Sequence, residues 1–121
     1  DGHLVLRGGK SGTNYHTQAV EAVVTELLEV GLSPRVMVDC SHGNSNKDFR
    51  RQSEVLQAVA TQIQDGSPHV MGVMIESHLV EGKQNLPQDL SSLIYGQSIT
   101  DACINIDTTS LLLDQLAASA V

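Results

Sequence analysis

The chain has 121 residues, 40% hydrophobic and 17% charged, with a net charge of -7 at neutral pH. That length supports one domain with one modest core, and the composition excludes a disordered, collagen-like or coiled-coil chain. The acidic balance disfavours nonspecific nucleic-acid binding, and no apolar run nears the roughly 20 residues that a membrane-spanning helix needs.

The opening residues Asp1-Gly2-His3 are expected to carry no leader, since they show neither a charged start nor a signal-peptide core. A first strand is predicted at Leu4-Val5-Leu6, ended by Arg7-Gly8-Gly9. After a loop with Gly12 and Asn14, Val20, Val23, Val24, Leu27 and Leu28 recur at the spacing of one helix face. Gly31 is a natural C-cap, and Pro34 forbids continuation.

The second strand, Val36-Met37-Val38, runs into Asp39-Cys40-Ser41-His42. Gly43-Asn44-Ser45-Asn46 supply a turn and an N-cap candidate. The helix that follows is expected over 47–64, with Gln52, Leu56, Val59, Ala60 and Ile63 on its buried stripe, and Asp65-Gly66-Ser67-Pro68 stops it. The third strand is the continuous apolar run from Val70 to Ile75, ending at Glu76; such a run suits burial on both faces of a parallel sheet. A last helix is signalled by Asp107-Thr108-Thr109 and is expected to bury Leu112, Leu113, Leu116 and Ala120. Nearly thirty residues of weak periodicity precede it. A loop so long in a compact domain is expected to be functional.

Successive strand–helix units imply an α/β fold with a parallel sheet and right-handed crossovers. Two architectures fit: a small open sheet, or a segment of a TIM (β/α)8 barrel, which when complete needs roughly 250 residues. No Gly-x-Gly-x-x-Gly or P-loop pattern follows the first strand, which counts against a nucleotide-binding open sheet.

Each predicted strand ends in a residue that an apolar core would not choose: Arg7, Asp39 with His42, and Glu76. In parallel α/β architecture these ends share one rim, where active sites are built. Asp101, in the long loop, could fold over that rim. His42, Glu76 and Asp101 would then make an imidazole–carboxylate set suited to Mn, Fe, Co or Zn rather than Mg or Ca. Arg7 beside Gly8-Gly9 reads as an anion clamp. The alternatives are a hydrogen-bonded structural His42, a surface ion pair for Arg7 and a Glu76–Lys83 pair; no short motif ties these residues together. Cys40 reads as a small core residue, and Cys103 as a buried thiol or a ligand. His3, His16 and His69 read as solvated, and His78 as a group that orients substrate or a ligand. Two cysteines make no disulfide framework, so a reducing, cytoplasmic compartment is expected.

Leu6-Arg7-Gly8-Gly9-Lys10 with Asn14-Tyr15, then VMVDCSHGNSNK at 36–47, VMIESHLVEG at 73–82 and YGQSITDAC at 95–103, follow in the order of matching segments in type I DAHP synthases. The chain resembles that family along nearly its whole length. The resemblance implies a TIM barrel of which residues 1–121 are the C-terminal three βα units, part of one barrel domain whose N-terminal part is absent. It implies the condensation of phosphoenolpyruvate, erythrose 4-phosphate and water to DAHP and phosphate, the entry step of the shikimate pathway to aromatic amino acids. It further implies a divalent metal ion held by a cysteine, a histidine, a glutamate and an aspartate. His42, Glu76 and Asp101 match the last three; the cysteine belongs to an upstream segment and matches neither Cys40 nor Cys103. Arg7 matches an arginine that binds the phosphate of phosphoenolpyruvate, and His42 is expected to be catalytic, as ligand and proton-transfer group. A part barrel leaves unpaired strand edges and an open core face. The isolated chain is therefore expected to be inactive and to form a homo-oligomer, with no nucleic acid and no membrane as partner. The competing expectation is a noncatalytic metal-binding or oligomerising half-barrel module.

Overall fold

The apolar runs pair as expected. The computed structural model describes residues 2–120. Strands β1 (Leu4–Leu6), β2 (Val36–Asp39) and β3 (Val70–Met74) form one parallel sheet in that order. Leu4, Val5 and Leu6 pair with Val36, Met37 and Val38, and β3 joins the other side of β2 through an irregularity at Val36/Met37. The α/β class expected from the alternation of strands and helices holds.

Helix α1 (Thr17–Glu29) buries Val20, Val24 and Leu27 against Leu6 and Val36. Val23 is half-buried, and Leu28 is exposed because it lies at the border of the apolar stripe. Gly31, at φ 73°, ends the helix. Its N–H donates to the Leu28 carbonyl at 3.1 Å and the Leu32 N–H to that of Leu27 at 2.9 Å, the pairing of a Schellman motif. Helices α2 (Gln52–Gln64) and α3 (Ile106–Ser119) bring Val55, Leu56, Val59 and Leu112 onto Val38 and Cys40. Strand alternation puts Leu6, Val36 and Val38 on one sheet face. The core therefore sits on that face, while on the other Val5 and Met74 are 40% and 44% exposed.

Four expectations change. Helix α2 begins at Gln52 rather than near residue 47, because Asn46 and Lys47 adopt left-handed backbone (φ 51° and 60°) and Phe49–Arg51 is a 3-10 turn. Strand β3 ends at Met74, and its apolar run is not covered on both faces. Helix α3 is capped by Asn105, whose side chain accepts from the Thr108 N–H; Leu113 and Ala120 face solvent while Thr109 and Ser119 are buried. The long segment before α3 is not structureless. Strand β4 (Ser77–His78) pairs in parallel with β7 (Ile104–Asn105), and β5 (Val80–Lys83) with β6 (Gln97–Ser98).

Candidate metal centre

Beyond β2 the chain passes through Cys40 and Ser41 into the 3-10 turn His42–Ser45. His42 has φ 54°, a left-handed conformation that persists only where surroundings enforce it. Asn44 is the main restraint. It is buried, and its Nδ2 donates to the carbonyls of Leu6 at 3.0 Å and Asp39 at 2.9 Å, while its Oδ1 accepts from the Asn14 N–H at 2.8 Å. Its own N–H donates to the Arg7 carbonyl at 3.0 Å. One side chain thus ties the ends of β1 and β2 to the loop before α1. Gly8 and Gly43 let the two backbones touch: a Cβ on Gly43 would lie 2.8 Å from the Gly8 carbonyl carbon.

The His42 ring has two different sides. Nδ1 lies 2.8 Å from Asp39 Oδ2 and 2.9 Å from Ser41 Oγ. Nε2 lies 3.3 Å from Glu76 Oε1 and 3.7 Å from Asp101 Oδ2. Glu76 follows β3, and its main chain is gripped by the fully buried Gln52 at the start of α2. Gln52 Nε2 donates to the Glu76 carbonyl at 3.0 Å and its Oε1 accepts from the Glu76 N–H at 2.8 Å. Asp101 is exposed on the long segment, which main-chain bonds fold back: Gly82 and Cys103 exchange bonds of 2.8 and 3.1 Å, and the Ile104 N–H donates to the Glu76 carbonyl at 3.0 Å.

One donor atom from each of His42, Glu76 and Asp101 lies within 4.8 Å of the others. They line a cleft of about 230 Å³ that also presents Lys47 and Lys83. Burial pushes the Glu76 carboxyl above its ordinary range; His42 opposes this, and the carboxylates of Asp101 and Asp39 add to it. Two carboxylates beside the same imidazole nitrogen are chemically suited to a shared divalent cation, which would relieve that repulsion.

The structure thus brings together the three residues expected as ligands. Arg7 joins the same turn through its carbonyl, but its side chain is exposed, does not line the cleft and has no ion pair among the described residues. Nor is a Glu76–Lys83 ion pair present among them. His78 is exposed, accepts from the Leu79 N–H at 2.8 Å and stands outside the donor group, so its expected orienting role has no contact behind it. His69 is half-buried and bonded to the Pro34 carbonyl rather than simply solvated. Cys103 is buried beside Asp101 but outside the donor group. Cys40 packs in the core, and burial pushes its thiol up to about 12, which keeps it neutral and unsuited to metal or nucleophilic chemistry. Sequence reasoning missed the roles of Asn44, Ser41 and Gln52. The available signal was Gln52 on an otherwise apolar stripe, since a buried amide needs partners.

The profile of the DAHP synthetase I family matches residues 1–114. The chain is similar to the phospho-2-dehydro-3-deoxyheptonate aldolase of Corynebacterium glutamicum, with 53% identity over 123 residues, 97% of this chain and 33% of that protein. It is similar also to the Tyr-sensitive phospho-2-dehydro-3-deoxyheptonate aldolase of Escherichia coli, with 49% identity over 116 residues, 96% of this chain and 32% of that protein. Among solved structures, phospho-2-dehydro-3-deoxyheptonate aldolase from Francisella tularensis matches with a TM-score of 0.94 at 42% identity, over 98% of this chain and 34% of that one. The chain spans about a third of the length of each of these three relatives.

Proposed function

The chain belongs to the DAHP synthetase I family, and from that premise we propose that it carries part of the active site of a 3-deoxy-7-phosphoheptulonate synthase. In this reading residues 1–121 are the C-terminal three βα units of one TIM (β/α)8 barrel domain. The parent enzyme condenses phosphoenolpyruvate and erythrose 4-phosphate with water to DAHP and phosphate, the first step of the shikimate pathway. The one-sided helix layer supports the barrel, because open doubly wound sheets carry helices on both faces.

The observation that carries the functional reading is the convergence of His42 Nε2, Glu76 and Asp101 in one cleft. We assign them as ligands of a divalent metal ion, Mn, Fe, Co or Zn. Held by these three residues, such an ion would supply Lewis-acid polarisation of the aldehyde of erythrose 4-phosphate. The remaining work belongs to the chain. Lys47 and Lys83 line the cleft and favour phosphorylated substrates. Arg7, without a competing ion pair among the described residues, offers a bidentate fork to the phosphate of phosphoenolpyruvate. His42 is the catalytic candidate, and its Nδ1 is engaged by Asp39. With that side occupied, it can exchange a proton with a substrate only through Nε2, and only while that atom is not a ligand. Both cysteines are free, which supports a reducing, cytoplasmic setting. No described helix is long and apolar enough to cross a membrane.

The exposed sheet face favours a second reading, a noncatalytic half-barrel module that binds metal or associates with itself. The test is direct. The 121-residue chain, given both substrates and Mn²⁺, is expected to form no DAHP, and to regain activity when mixed with the remaining two thirds of a relative. In calorimetry His42→Ala is expected to bind Mn²⁺ at least tenfold more weakly than wild type. DAHP formation by the chain alone would overturn the part-site reading, failure of complementation would favour the module, and equal binding by the variant would overturn the metal assignment.

A further inference from the structure

Asp39 ends β2 with a buried carboxylate that no Lys or Arg approaches among the described residues. Three donors reach it instead. The Ser41 N–H and Oγ–H donate to Oδ1 at 2.8 and 2.5 Å, and His42 Nδ1 lies 2.8 Å from Oδ2. Ser41 has one hydroxyl hydrogen and commits it to Asp39, so its Oγ, 2.9 Å from Nδ1, can only accept from the ring. Both neighbours of Nδ1 are then acceptors. The ring proton belongs on Nδ1, and the lone pair of the neutral ring on Nε2.

Nε2 is the atom turned to the cleft. It has no hydrogen-bond partner among the described residues, although Glu76 Oε1 and Asp101 Oδ2 stand 3.3 and 3.7 Å away. A ring that carried a proton there would be expected to aim it at one of them. The left-handed backbone at His42, held by Asn44, sets the ring between Asp39 on one side and the two carboxylates on the other.

We propose that Asp39, together with Ser41, is a positioning residue that holds His42 in its Nδ1–H tautomer and presents Nε2 as a lone-pair donor to the divalent cation shared with Glu76 and Asp101. The use of that lone pair rests on the metal reading above, whereas the tautomer itself needs no metal. Carboxylate–histidine pairs of this kind commonly orient metal ligands, and their loss weakens affinity by about 10–100-fold.

The experiment is nitrogen-15 NMR of His42 in the cation-free 121-residue chain, above the ordinary histidine titration range, combined with Mn²⁺ calorimetry. Wild type is expected to show a protonated, pyrrole-type Nδ1 and a bare, pyridine-type Nε2. Asp39→Asn is expected to lose that fixed tautomer and about 10–100-fold in Mn²⁺ affinity, while Ser41→Ala keeps the tautomer and loses less than about tenfold. A wild-type ring protonated at Nε2 would overturn the proposal, as would Asp39→Asn binding Mn²⁺ as tightly as wild type. The wild-type spectrum decides the tautomer even if Asp39→Asn fails to fold. An Nδ1–H ring in a wild-type chain that binds no Mn²⁺ would overturn the cation assignment and support the positioning of the ring.

Discussion

At Glu76 the main chain is fully engaged by Gln52 and Ile104, while the partly buried carboxyl lies beside His42 Nε2, with the charges of Asp101 and, beyond the ring, Asp39 adding to the effect of burial. The raised pKa means that the folded chain keeps this proton at a pH where the unfolded chain has lost it. The associated stability is present below the unfolded value, near ~4.3, and is lost as pH rises through the folded one. Cation binding runs the other way, because the proton must leave before the carboxylate can act as a ligand, so affinity grows with pH through the same window. Glu76→Gln keeps the shape and removes the charge. Near neutral pH it is expected to raise the thermal midpoint of the cation-free chain slightly, on the order of 2 °C, since it removes a carboxylate held among like charges. Mn²⁺ affinity should fall at least tenfold. Scanning and titration calorimetry read the two effects, and a lower midpoint with unchanged affinity would contradict the account.

The turn between β2 and α2 shows how elements build the rim. Asn44→Ala removes three side-chain hydrogen bonds and leaves the buried carbonyls of Leu6 and Asp39 short of a donor. Each such loss costs about 1–3 kcal/mol. A total near ~3 kcal/mol is expected, visible as a lower urea midpoint with an unchanged slope; a loss under ~1 kcal/mol would show that the turn holds without it. The same region marks where the sequence stops being legible. Helix α1 could be read because its buried residues repeat at helical spacing and Gly31 punctuates its end. The start of α2 could not, because nothing in a lysine signals the left-handed backbone of Lys47. The pairings of β4 to β7 are made by main-chain bonds, which leave no side-chain period to detect. Within the site, Arg7, Asp39, His42 and Glu76 stood out as polar residues ending apolar strands. The approach of Asp101 depends on the Gly82–Cys103 bridge, and residue order carries no sign of it beyond the family pattern.

For the molecule as a whole, the sheet is the unfinished part. Its helix-covered face holds the core, but on the other face Val5 and Met74 are 40% and 44% exposed. The outer edges of β1 and β3 have no strand partner in the three-stranded sheet. Apolar surface returns roughly 25 cal/mol per Å² when it leaves water, and unpaired edges template further pairing. In the barrel reading this surface would be covered by the rest of the barrel. For residues 1–121 alone, another copy is the available cover. The chain is therefore expected to self-associate in a concentration-dependent way in sedimentation velocity. Val5→Lys, which places a charge on the edge strand β1, should shift the population toward monomer, and so should the complementing segment of a relative. The three results need to agree. A wild-type chain that stays monomeric at every concentration would show that the open face is tolerated, and dimers unaffected by either perturbation would place the contact elsewhere. Dissociation by both would mean that the same surface serves association in the isolated chain and closure in the barrel.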